Sequence, residues 1–263
     1  MSALTSTSAA ASPAWLAETP AVAGACGAGL VPKQLKVGGI TAFSATDYPG
    51  KLAAVVFVQG CPWRCGFCHN PHLQPRTEHS PLPWAQVLAL LRRRVGLIDA
   101  VVFSGGEPTM DAALADAMRQ VRALGFDVGL HTAGAYPRRL AEVLPLVDWV
   151  GLDIKAEPHG YDVVTGIRDS AGPALSSARM VLASGVAHEF RTTVHPALHT
   201  EQDILALASR LSQLGVKRYA LQKFRAIGCA NKELTPGTNT DFPSAKLVAQ
   251  VRALFPEFTL RDS

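Results

Sequence analysis

From Val37 to about Phe224 the chain alternates short apolar runs with longer amphipathic ones, the two periods that separate strands from helices. Leu52–Gly60 (LAAVVFVQG) is short and rich in β-branched residues, as a strand buried on both faces should be. Next, PWAQVLALLRRRVG sets Trp84, Val87, Leu88, Leu91 and Val95 on one helical face, with Pro83 suited to the first turn. The alternation then repeats. AVVFSGG precedes TMDAALADAMRQVRALG, a helix opened by Pro108 and ended by Gly125; DVGLHTAG precedes PRRLAEVLP; VDWVGLDIK precedes ALSSARMVLASG; HEFRTTVHP precedes TEQDILALASRLSQLG; and KRYALQKF follows. Thr200 and Asp203 are set as a capping box.

About six strand–helix units in strict alternation imply a parallel sheet with right-handed crossovers. They are too few for a closed eightfold barrel, so an open barrel and a doubly wound sheet both fit. In either, chemistry belongs at the carboxyl ends of the strands. The residues there are a cysteine-rich loop after the first strand, Gly105-Gly106-Glu107 after the second and His131-Thr132-Ala133-Gly134 after the third. Asp153 and Lys155 stand at the fourth, His195-Pro196 after the fifth and Gln222-Lys223 at the sixth. Period-two spacing puts Asp153 and Lys155 on one side of their strand, and Arg191, Thr193 and His195 on one side of theirs.

Composition narrows the class. In 263 residues, 48% are hydrophobic and 17% charged, which is globular material. The net charge of +4 is scattered apart from Arg92-Arg93-Arg94 and Arg138-Arg139, so nothing marks a nucleic-acid binder. No apolar run reaches the ~20 residues of a membrane span. The first thirty residues lack Lys and Arg, which argues against a secretory or transit signal and makes a cytoplasmic location the expectation. Residues 1–32, rich in Ala and Ser, are expected to be a disordered tail, with Cys26 incidental within it, and 33–263 a single domain.

Of five cysteines, Cys61, Cys65 and Cys68 fall within eight residues, in GCPWRCGFCHNP. An odd count without an export signal favours metal or redox chemistry over a disulfide framework. Soft thiolates this close select zinc or an iron–sulfur cluster. Zinc requires a fourth ligand, for which His72 is placed better than His69. Three cysteines on a four-iron cluster leave one iron open, as substrate-binding chemistry requires.

The C-x3-C-x2-C spacing with Phe67 just before the last cysteine resembles the radical S-adenosylmethionine (SAM) superfamily. The following His69-Asn70-Pro71 resembles its glycyl-radical-enzyme activating enzymes. FSGGEPT, GLHTAGAYPRRL, VDWVGLDIKA, YDVVTGIRDS and RTTVHPALHT resemble the activating protein of anaerobic ribonucleoside-triphosphate reductase, over about Val37 to Phe224. The resemblance implies a partial, open (β/α)6 TIM-like barrel, with Cys61, Cys65 and Cys68 on a [4Fe-4S] cluster whose fourth iron SAM chelates. It implies that Gly105, Gly106 and Glu107 hold the methionine amino group, that Asp153 takes the ribose hydroxyls and that Lys155 pairs with the carboxylate. Phe67, Thr132, Arg191 and His195 are further SAM-binding candidates, whereas His131 stands where relatives often carry Asp. The implied reaction cleaves SAM reductively to a 5′-deoxyadenosyl radical, which takes hydrogen from a glycine of a separate reductase; a small flavin or iron–sulfur protein would donate the electron. An activase for pyruvate formate-lyase, a small-molecule enzyme acting on a deazapurine precursor and a zinc-stabilised binding module are the alternatives. Cys229 lies in a loop-like segment, FRAIGCANKELTPGTNTDF, beyond the last strand read from the pattern.

Overall fold

Alternation along each strand divides the apolar residues into two sets, and the computed structural model, which describes residues 34–234 and 241–262, shows where each goes. The expected tail, and Cys26 with it, lies outside the described residues. Val56, Val101, Phe103, Leu130, Leu152 and Phe190 point outward into the main core beneath the helices. The opposite parity carries Ala53, Val55, Ala100, Val102 and Trp149, which with Tyr48 form a smaller inner cluster near the strand starts. Higher along the strands that inward parity turns polar, with His131, Asp153, Arg191 and Gln222.

The strands are β1 (Val37–Ser44), β2 (Ala53–Val58), β3 (Ala100–Gly105), β4 (Asp127–Thr132), β5 (Trp149–Asp153), β6 (Ala187–Val194), β7 (Arg218–Lys223) and β8 (Glu257–Arg261). They form one sheet in sequence order; β1 is antiparallel to β2 and every later pair is parallel. A doubly wound sheet reverses its strand order at a switch point, and none occurs here, so the open barrel is the architecture. No pairing joins the two edges β1 and β8 among the described residues. The crossovers carry α1 (Trp84–Arg92), α2 (Leu114–Ala123), α3 (Pro137–Val143), α4 (Tyr161–Thr165), α5 (Ala171–Ser184), α6 (Glu201–Gln213) and α7 (Ala245–Arg252). The Thr200–Asp203 capping box is present at α6.

Several boundaries differ from the pattern, among them the start of α5, which lies at Ala171, three residues before the stretch read as helix. Helix α1 stops at Arg92, so Val95 falls in the following loop and is 54% exposed. Pro108 opens only a 3-10 turn, Pro108–Met110, and α2 begins at Leu114, because Asp111 leaves helical geometry and accepts from the Ala113 amide. Lys155 lies two residues beyond the end of β5, although the Ile154 amide still bonds Arg191 O at 2.8 Å.

Candidate active site

The loop after β2 holds Cys61, Cys65 and Cys68, each half-buried and free. It is tied down at its root, where Gly60 N–H donates to Leu73 O and Gly60 O accepts from Glu107 N–H, both at 2.8 Å. Further along, Arg64 N–H reaches Thr165 O at 2.7 Å, and Trp63 meets the Tyr161 ring edge-on at 5.8 Å. Burial pushes the Cys61 thiol up to about 12, partly offset by the Trp63 amide, with Glu107 and Cys65 adding to the rise. Burial also raises the Cys65 thiol, against the pull of the Lys155 ammonium.

Gly105 and Gly106 bring the loop after β3 against that root. Gly105 sits at φ +114, and a Cβ there would stand 2.5 Å from Val58 N. A Cβ on Gly106 would press into the Gly60 carbonyl and stand 3.1 Å from Leu73 O. Only residues without side chains allow this backbone-to-backbone approach. Glu107 is 1% exposed and joins two strand ends. Its Oε1 accepts from Thr109 N at 3.1 Å, Thr109 Oγ1 at 2.5 Å and Thr132 Oγ1 at 2.7 Å, and its Oε2 accepts from Ala133 N at 2.9 Å. The spare acceptor capacity of the carboxylate is therefore on Oε2.

Across the mouth, Lys155 Nζ lies 2.8 Å from Asp153 Oδ2 and 5.6 Å from the Phe67 ring centre. The lysine side chain is 12% exposed and the aspartate 37%, so the carboxylate faces the opening. Burial alone would lower the Lys155 ammonium, yet Asp153 and Cys65 hold it above its ordinary value. Burial would raise Asp153, but Lys155 and Arg191 hold it below the usual carboxylate range.

The remaining candidates are engaged within the chain. Arg191 Nε donates to Glu189 Oε1 at 2.8 Å, and its guanidinium lies 4.9 Å from the Trp149 ring centre, turned toward the barrel floor. Glu189 also receives Arg261 at 2.8 Å. His195 is buried; its Nδ1 accepts from Ala197 N at 3.1 Å, which leaves Nε2 to donate to Leu234 O at 3.0 Å. His131 Nε2 lies 2.9 Å from Asp47 O. Burial and the Arg191 charge lower its imidazole to about 4. The segment after β7 folds onto the cysteine loop: the His69 ring stacks on Phe224 at 5.6 Å and bonds Arg225 O at 2.9 Å, and Cys229 Sγ approaches Gly66 O at 3.6 Å. Tyr161 and His199, which lie in YDVVTGIRDS and RTTVHPALHT without being candidates on sequence grounds, touch Lys155 directly.

Residues 55–217 match the family model described as the radical SAM superfamily. A Methanocaldococcus jannaschii protein named as a candidate glycyl-radical enzyme activating enzyme is 30% identical over 197 residues, covering 72% of this chain and 79% of that protein. The pyruvate formate-lyase-activating enzyme of Clostridium pasteurianum is 33% identical over 137 residues, half of this chain and 57% of that enzyme. Among solved structures, Streptococcus suis SuiB bound to its precursor peptide SuiA superposes with a TM-score of 0.61 at 14% identity, over 79% of this chain and 48% of that one. This chain belongs to the radical SAM superfamily, and within it to the enzymes that activate glycyl radical enzymes. The superfamily works with a [4Fe-4S] cluster and SAM.

The donor set fits such a cluster better than a single ion. A zinc site would need a fourth ligand beside the three thiols, yet His69 is engaged with Arg225 O and His72 is exposed, whereas a four-iron cluster needs only the three thiolates. Three thiols spread around one loop suit a cluster, in which each thiolate meets a different iron. No helix among the described residues is long and apolar enough to cross a membrane.

Proposed function

We propose that the chain is the activating enzyme of an anaerobic ribonucleoside-triphosphate reductase and forms a glycyl radical on that separate protein. The observation that carries this reading is the meeting, at one barrel mouth, of three half-buried thiols with the Asp153–Lys155 pair. The reductase as partner rests on the segments that resemble its activase, FSGGEPT, VDWVGLDIKA and RTTVHPALHT among them.

Cys61, Cys65 and Cys68 would hold the cluster. Lys155 would pair with the SAM carboxylate and Asp153 would take its ribose hydroxyls, in keeping with their exposures. The backbone at Gly105 and Gly106, with Oε2 of Glu107, would receive the methionine ammonium, and Thr132 would keep Glu107 turned toward it. The buried Phe67 and Trp63 wall the loop from water. Arg191 and His195 would act from behind, Arg191 by its charge on Asp153 and His195 by holding the segment after β7. When bound, the cluster and SAM supply a one-electron cleavage giving methionine and a 5′-deoxyadenosyl radical that takes hydrogen from glycine.

Among the described residues no pairing joins the edges β1 and β8, an arrangement that favours a macromolecular substrate over a small molecule sealed inside a closed barrel. Similarity to a pyruvate formate-lyase-activating enzyme keeps that lyase as the second reading. The electron would come from a small flavin or iron–sulfur protein. Residues 33–263 would constitute the radical SAM domain, acting in the cytoplasm. The test is anaerobic reconstitution with iron and sulfide, then reduction with SAM beside each candidate partner. Release of 5′-deoxyadenosine stimulated by the reductase supports the reading. Stimulation by the lyase alone moves the assignment to the second, and one bound zinc without visible absorption ends both.

A further inference from the structure

Lys155 stands just past the end of β5, where the sheet ladder no longer fixes its main chain. Its N–H donates to Tyr161 Oη at 3.2 Å, and its carbonyl accepts from His199 Nε2 at 2.8 Å. The His199 tautomer follows from its other nitrogen: Nδ1 accepts from the His195 amide at 3.2 Å, so Nε2 carries the hydrogen. Both residues are buried. Tyr161 packs edge-on against Trp63, and the His199 ring centre lies 6.3 Å from that of Phe67. Each bond therefore ties the Lys155 backbone to a different aromatic of the cysteine loop.

We propose that Tyr161 and His199 are positioning residues that clamp the Lys155 main chain from two sides and so fix its ammonium at the mouth. The proposal rests on the reading that Lys155 contacts SAM. A lysine side chain loses rotamer entropy on ordering, and a backbone free to shift adds to that cost. Holding the Cα in advance removes the second part. The spacing of His195 and His199 serves this: in the turn His195-Pro196-Ala197-Leu198-His199, the first imidazole reaches Leu234 and the second reaches Lys155.

The test uses Tyr161→Phe, which removes the acceptor of the Lys155 amide, His199→Leu, which removes the donor to the Lys155 carbonyl together with the acceptor of the His195 amide, and His199→Gln, whose amide can replace the Nε2 donor. On the metal-free protein, labelling of Lys155 by an amine reagent, followed by peptide mass spectrometry, should run several-fold faster in Tyr161→Phe and His199→Leu and near the parent rate in His199→Gln. On the reconstituted enzyme the SAM Kd should rise about tenfold in the first two, the loss of roughly one hydrogen bond. Iron content should be unchanged. In a Lys155→Met background the same substitutions should change Kd little, because their effect passes through Lys155. Unchanged labelling and unchanged SAM affinity in Tyr161→Phe and His199→Leu would overturn the clamp. If Lys155→Met itself leaves SAM binding intact, the underlying reading of the site fails instead, and labelling still decides the clamp.

Discussion

Adding one methyl group at Gly106 should dislodge the cysteine loop. The Cβ of Gly106→Ala would press into Gly60 O and crowd Leu73 O, and both are backbone atoms that no rotamer change can move aside. Gly60 leads directly into Cys61. Relief requires parting the two loops, which breaks the bonds from Glu107 N to Gly60 O at 2.8 Å and from Gly106 N to Val58 O at 2.9 Å. Two backbone hydrogen bonds at about 1 kcal/mol each, with about 1–3 kcal/mol for forced displacement in a packed region, give a loss of roughly 3–5 kcal/mol. Gly172→Ala is the matched control: a Cβ at Gly172 of α5 meets nothing within 4 Å, so alanine there should add about 0.5 kcal/mol by propensity. Urea unfolding of the metal-free proteins measures stability, and iron and sulfide per chain after anaerobic reconstitution measure the loop. Gly106→Ala should show both losses and Gly172→Ala neither. Parent-like stability with full iron content in Gly106→Ala would refute the claim that this glycine exists to let two backbones touch.

Glu107→Gln replaces an acceptor-only carboxylate with a group whose NH2 must face one of the buried donors from Thr109, Thr132 or Ala133, which should cost about 1–3 kcal/mol; thermal unfolding of the metal-free protein reads it, and an unchanged Tm would count against the bridge between β3 and β4. His131 gives a pH dependence of definite sign. Its folded imidazole is held near 4 while the unfolded one titrates near 6.5, so the unfolded state takes up the proton first and stability falls as pH drops from 6.5 to 4, by about 3 kcal/mol at 1.36 kcal/mol per pH unit. Unfolding free energies at pH 7, 5.5 and 4 should fall less steeply in His131→Gln than in the parent, the remaining slope coming from His69 and His199, which burial also lowers; an equal slope in both would contradict the assignment. Cys61→Ala, Cys65→Ala and Cys68→Ala should each abolish the brown chromophore on reconstitution, whereas Cys229→Ala, which loses weak thiol contacts to Gly66 O and Asn231 O, should keep it.

The six central strands were legible because each is a short apolar run whose neighbours in space are also its neighbours in sequence. The edges were not. β1 contains Gly38 and Gly39 and β8 is five mixed residues, so neither has a buried face strong enough to show as a pattern. At the site, the cysteine spacing and the Asp153–Lys155 pair were visible because their members are close in sequence. The bond from Thr132 to Glu107 spans 25 residues and that from His199 to Lys155 spans 44, and only the strand order brings them together. Arg191 shares the inward parity expected for a residue facing SAM. Parity fixes the side of the sheet but not the direction along the barrel axis, and Glu189 and Trp149 draw its guanidinium toward the floor.

The most direct measurement mixes the reconstituted, reduced enzyme and SAM with anaerobic ribonucleoside-triphosphate reductase and records the electron paramagnetic resonance spectrum. A glycyl radical signal on the reductase that requires SAM and disappears with Cys65→Ala is the predicted result. A cluster-bearing, SAM-cleaving enzyme that leaves the reductase without that signal would contradict the account.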